Sequence, residues 1–120
     1  EFHYIIDIES SERNFEFLEN NICFVGHLHI SGVFVKDIQG KIYYYEPEYI
    51  KLKTENKYII NVGSVGQPRD GNSSACYCIF DTEKKEVWIR RKPYDIQSTY
   101  KKIVKAGLPL FLALRLYWGR

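Results

Sequence analysis

Residues 10–21 (SSERNFEFLENN), followed at once by residues 22–26 (ICFVG), constrain the fold more than any other stretch. The first part is patterned as a helix. Ser10 or Ser11 can accept the first free N–H groups, and acidic residues occupy the opening turn. Phe15 and Leu18 share a face with Phe17 beside them, and Asn20-Asn21 ends the pattern. The second part is a short, nearly continuous apolar run, which predicts a strand covered on both faces. A helix feeding a buried strand is an α/β rhythm.

After residue 26 the texture shifts to short strands. Residues 32–36 and 41–46 predict a pair turning at Gln39-Gly40, and residues 49–53 alternate as a half-exposed strand. Residues 57–62 predict a strand entering a loop at Gly63. Residues 75–81 and 86–92 predict a hairpin that Pro93 terminates. Asp95 is the candidate cap of a helix with Ile96, Tyr100, Ile103 and Val104 as its apolar stripe and Gly107 as its stop. Pro109 opens a last helix, where its missing N–H costs little. Residues 1–120 are read as one domain of mixed α/β type, without internal repeats.

Composition narrows the class. Of 120 residues, 45% are hydrophobic and 27% charged, which marks a folded chain rather than a disordered one. Ten tyrosines favour half-buried strands. A net charge of +2 is too small to argue for nucleic acid or an anionic membrane surface as a partner, and the paired lysines Lys84-Lys85 and Lys101-Lys102 read as a solvated face. The three cysteines, Cys23, Cys76 and Cys78, are odd in number and favour a reducing compartment. The first residues lack the basic start and apolar core of a signal peptide, so a cytoplasmic location is expected. Residues 108–118 are strongly apolar but too short to span a bilayer and carry Arg115, which predicts a buried or docking helix and no membrane partner.

Two stretches can carry chemistry. His27 and His29 stand two apart at the end of the predicted strand, so their rings would point to one side and could converge on one ion. Taken alone, they are equally two polar strand-end residues, since a catalytic metal needs three or more protein ligands. The second stretch, residues 60–81 (INVGSVGQPRDGNSSACYCIFD), holds Asn61, Gly63, Ser64, Gly66, Gln67, Arg69, Asp70, Gly71 and Asn72 in a long polar loop. Its glycines would let backbone N–H groups approach an anion, and Arg69 offers a planar fork for phosphate. The plainer alternative is a solvent loop whose glycines serve tight turns. Cys76 and Cys78 could join the histidines in a structural zinc site, but their spacing in an alternating strand, on the side of Phe80, reads as core.

Taken together, FVGHLH (residues 24–29) and INVGSVGQPRDGNSSACYCIFD closely resemble the C-terminal half of calcineurin-like metallophosphoesterases, in the small bacterial and archaeal branch. That branch carries a Gly-His-x-His motif and, later, an Asn-x-Gly-Ser-x-Gly-Gln-Pro-Arg loop before a hairpin. The closing AGLPLFLALRLYWGR is similar to its usual end. The resemblance implies the C-terminal half of a four-layer α/β/β/α sandwich: one inner strand and its helix from the first sheet, then most of the second sheet. It implies His27 and His29 as ligands in a centre of two divalent ions (manganese, iron, zinc, nickel or magnesium). It places Asn61, Gly63, Ser64, Gln67 and Arg69 in the adjoining loop. The implied activity is hydrolysis of a phosphodiester or phosphomonoester by a hydroxide held between the metals.

The family's earlier motifs, Asp-x-His, Gly-Asp and Gly-Asn-His, have no counterpart here. Leu28 stands where the family usually has a small polar residue, and His3 lacks the context of a ligand. The chain is therefore expected to be inactive alone. It would pair with a separate N-terminal half, self-associate through an exposed sheet face, or be an excerpt of a longer gene product. A non-catalytic interaction scaffold of the same fold is the alternative.

Overall fold

The computed structural model describes residues 5–120; His3 lies outside them. The chain opens with α1 (Ile8–Glu16), then β1 (Ile22–Val25), β2 (Ser31–Lys36), β3 (Ile42–Tyr45), β4 (Tyr49–Lys51), β5 (Lys57–Val62), β6 (Ala75–Asp81) and β7 (Glu86–Lys92). Two helices close it, α2 (Ile96–Lys105) and α3 (Leu110–Trp118).

The first helix differs from its sequence pattern. Its cap is Asp7, whose side chain accepts from the Ser10 N–H, while the Ser10 hydroxyl accepts from the Asp7 N–H. Ser10 is therefore the third residue of a capping box rather than the cap itself, and Ser11 is fully buried one position on. The helix ends at Glu16, short of Asn20, and Phe17 at its C-cap is exposed. Phe15 is 1% exposed and packs with Phe34 and Ile59 on the outer face of the first sheet.

That sheet has the order β1-β5-β2-β3. β5 runs parallel to β1 and antiparallel to β2, and β2 and β3 form the expected hairpin. Four of its strands come from this chain, more than the one inner strand expected. Alternation shows that a strand is buried on one face or two, but not which sheet it joins. The continuous burial of Gly32–Val35 and of Tyr58–Asn61 marks β2 and β5 as the sheet's centre. β1 was expected to be covered on both faces. It packs on both faces, Ile22 against the inter-sheet core and Cys23 and Val25 against the core under α1, with Phe24 40% exposed beside Phe80; among the described residues it pairs only with β5.

The second sheet, β4-β7-β6, contains the predicted hairpin with the strand bounds read from the sequence. Its inner residues Ile50, Leu52, Cys76, Val87 and Ile89 meet Val33, Val35, Tyr58 and Ile60 of the first sheet in one buried cluster. Cys76 and Cys78 face this core with Phe80, as their alternation predicted. The structure is thus helix on sheet on sheet, a mixed α+β arrangement with two packed sheets. The helices α2 and α3 pack chiefly on each other. Asp95 caps α2 through the Ser98 N–H, as expected. No helix among the described residues is long and apolar enough to cross a membrane.

Because Phe15 alone joins α1 to the sheet with a fully buried ring, Phe15→Ala leaves a cavity between the layers. Urea denaturation is expected to show a loss of about 3–5 kcal/mol. Phe17→Ala, on an exposed ring, is expected to change stability by under about 0.5 kcal/mol.

Candidate metal and phosphate site

The parallel pairing of β1 with β5 brings the ends of both strands to one edge of the sheet. Val25 pairs with Asn61, and Ser31, the first residue of β2, pairs with Val62. Residues 26–30 and 63–74 therefore leave the sheet side by side.

The histidines do not continue the strand. β1 stops at Val25, the Leu28 N–H closes a tight turn on the Gly26 carbonyl at 3.0 Å, and His27 sits at φ 77°. His29 follows at φ 64°. The two-residue period of a strand therefore does not set their directions. Each occupies a left-handed backbone region that non-glycine residues seldom adopt, at a cost of about 1 kcal/mol or more. Such strain persists only where the surroundings hold it in place.

The second loop supplies that hold. The Arg69 N–H donates to the His29 carbonyl at 2.9 Å, and His29 Nδ1 lies 2.7 Å from the Gln67 carbonyl. A carbonyl only accepts, so Nδ1 carries the proton. In the neutral ring, the lone pair is then on Nε2. This is the arrangement that orients an imidazole as a metal ligand. His27 is half of the same turn and is exposed at the surface.

Asn61, 5% exposed, holds the base of the first loop. Its Nδ2 donates to the Gly26 carbonyl at 3.3 Å, and its Oδ1 accepts from the Gly63 N–H at 3.1 Å. Gly63 at φ 75° is required twice over, because a Cβ there would lie 2.7 Å from the Cys76 sulfur. The Ser64 hydroxyl accepts from the Gln67 N–H at 3.0 Å, and its carbonyl accepts from the Cys76 N–H at 2.8 Å. Arg69 is exposed and spends Nε and Nη2 on Gln67 Oε1, at 3.2 and 2.7 Å, which leaves its other N–H groups for a ligand. The structure thus brings His27, His29, Asn61, Gly63, Ser64, Gln67 and Arg69 into one loop cluster. Asn61, Gly63 and Ser64 hold the loops in shape through these contacts, and His27 and Arg69 are exposed beside them. Among the described residues, no three His, Cys, Asp or Glu side chains come together as a metal cage.

The sequence reading missed the anchor under the loop. Arg91 of β7 pairs with Asp70 through both guanidinium Nη atoms and donates to the Ser31 hydroxyl at 3.0 Å. The Asp70 side chain is only 9% exposed. Arg91 follows Val87 and Ile89 on the inward register of β7, so a charge in a core-facing position was the available signal. Burial opposes ionisation of Asp70, but the hydrogen bonds and charge of Arg91 outweigh it and hold the carboxyl below its ordinary range. Burial also pushes the Cys76 thiol up.

No family model matches the sequence. An uncharacterized protein of Methanocaldococcus jannaschii is 48% identical over 100 residues, 83% of this chain and 40% of that protein. The crystal structure of a metallophosphoesterase from Sphaerobacter thermophilus superposes over 99% of this chain with a TM-score of 0.91 and 34% identity. The chain thus resembles half of that metallophosphoesterase in both fold and sequence. It covers 51% of the Sphaerobacter metallophosphoesterase, as a C-terminal half would. The chain therefore spans about half or less of the relatives it matches.

The Asp70–Arg91 pair carries a pH signature. Asp70 titrates below its unfolded value of about 3.9. Its contribution is complete above that value and is lost as pH falls through the folded pKa. Asp70→Asn is expected to lower the melting temperature at pH 7, and its deficit against the unmodified chain is expected to shrink below about pH 4. Thermal melts across pH 2.5–7, followed by circular dichroism, check this.

Proposed function

We propose that the chain supplies the Gly-His-x-His ligand pair and the adjoining anion loop of a metal-dependent phosphoesterase acting on a phosphodiester or phosphomonoester. The observation that carries this reading is the His29 Nδ1–Gln67 carbonyl contact at 2.7 Å. It fixes the ring's proton on Nδ1 and leaves the Nε2 lone pair to ligate, which fits a divalent metal. His27 would be the second imidazole ligand, each ring serving a different ion. Two imidazoles make part of such a centre. The remaining ligands, carboxylates above all, would come from the half of the fold that the Sphaerobacter protein has beyond this match.

When bound, a pair of divalent ions supplies positive charge for phosphoryl oxygens and a nucleophile at neutral pH. This chain's own residues do the positioning. The Gln67 carbonyl holds the His29 proton and sets the ring plane. The Arg69 N–H fixes the backbone of the same residue, and the Arg69 guanidinium, braced on Gln67 Oε1, is aimed to donate to phosphate oxygens.

The test combines the chain with the first half of a family member and measures manganese or zinc content and turnover of a generic aryl phosphodiester. His27→Ala and His29→Ala are each expected to lower metal affinity at least tenfold. Both are expected to bring turnover to background. Arg69→Ala is expected to raise KM several-fold with a smaller change in kcat. Unchanged metal content in both histidine variants would end the proposal. A reconstituted protein that binds neither metal nor substrate would favour the scaffold reading instead.

A further inference from the structure

The loop that carries His29 and the loop that carries Arg69 are joined by one side chain of β7. Ser31 stands two residues after His29, and Asp70 directly follows Arg69. Arg91 donates from Nη1 to Asp70 Oδ1 at 3.1 Å. Its Nη2 donates both to Asp70 Oδ2 and to the Ser31 hydroxyl, the latter at 3.0 Å. The Ser31 N–H and hydroxyl each lie 3.5 Å from Asp70 Oδ2. Ser31 is 9% exposed, as is the Asp70 side chain. The triad is thus shielded from water, and all three of its members belong to this chain.

Stability alone does not account for a charged pair in this place. Two shielded charges give up hydration that their attraction only partly returns, and apolar side chains of similar volume serve a core as well or better. Arg91 takes the inward position after Val87 and Ile89, where such a side chain would suit. The Arg69 loop also has other anchors. The Gly71 N–H donates to the Gly119 carbonyl at 3.0 Å, and the Cys76 N–H to the Ser64 carbonyl at 2.8 Å. What Arg91 adds is relative placement. It sets residues 67–70 against residues 29–31, the span across which the Arg69 N–H meets the His29 carbonyl and His29 Nδ1 meets the Gln67 carbonyl.

We propose that Arg91, acting through Asp70 and Ser31, is a positioning residue that fixes the ring orientation and the proton of His29. The inference deepens the phosphoesterase reading and rests on it for its purpose. A ring held with its proton on Nδ1 offers the Nε2 lone pair to a metal without rearrangement. A ring released from the Gln67 carbonyl exchanges its proton between the two nitrogens and loses that preparation. The guanidinium suits the task, because its planar fork fixes two acceptors in direction as well as distance.

The experiment uses the chain combined with the first half of a family member, first without metal. Nitrogen-15 NMR of the His29 ring at about pH 8.5, where imidazole is neutral, is expected to show the Nδ1–H form. Arg91→Met is expected to turn that signal into a mixture of both tautomers and to weaken zinc binding about tenfold. Because Arg91→Met leaves the Asp70 carboxylate unpaired, the charge-free combination of Asp70→Leu with Arg91→Met is the second variant. It is expected to recover the melting temperature lost by Arg91→Met but neither the tautomer nor the zinc affinity, which a purely structural role would restore together. An unchanged His29 tautomer in a variant that far-UV circular dichroism shows to be folded overturns the proposal. So does a double variant that regains tautomer and affinity along with stability. An unmodified protein that binds no zinc, while its tautomer still follows Arg91, upholds the positioning role and overturns the phosphoesterase reading instead.

Discussion

Everything at the candidate site depends on how β5 is paired. Running parallel to β1 and antiparallel to β2, it is the one strand of its sheet that pairs with both of these neighbours. The parallel contact is what places the ends of β1 and β5 at one edge, and the antiparallel contact returns the chain into β2 beside them. Had β1 joined the sheet in the other direction, the histidine loop and the glycine loop would have emerged at opposite edges. The burial of Tyr58–Asn61, against α1 on one side and the second sheet on the other, secures that pairing.

Within that frame, the two loops hold one another in conformations neither would keep alone. A left-handed histidine backbone in an isolated turn would relax. Here His29 accepts from the Arg69 N–H and donates from its ring to the Gln67 carbonyl, and those residues lie next to Asp70, which Arg91 clamps from the second sheet. Backbone strain, a fixed imidazole tautomer and a charged pair beneath form one continuous chain of contacts from sheet to ring. This also separates the residues that would bind from those that hold the loop in shape, a distinction that residue type alone does not make.

Much of this was legible in the sequence, for identifiable reasons. The β6–β7 hairpin and α2 were readable because alternation, a turn and an Asp95 cap all pointed the same way. The start of α1 was not, because Asp7 and Ser10 are both good caps and only their reciprocal geometry decides which leads. The convergence of the two motifs was suggested by the family resemblance, while the means of convergence was hidden. Positive φ at His27 and His29 leaves no mark on composition or spacing. Arg91 was hidden differently: it sat in a plausible polar strand end, and only its phase relative to Val87 and Ile89 showed that it faces inward.

Gly63 has one more consequence. Its missing side chain leaves room for the Cys76 sulfur, and Cys76 is 2% exposed beneath the loop. That sulfur is therefore sealed from reagents for as long as the loop is seated. Its accessibility to a small alkylating probe would time the lifting of the loop, giving the protein a native gauge of its own breathing without any introduced label.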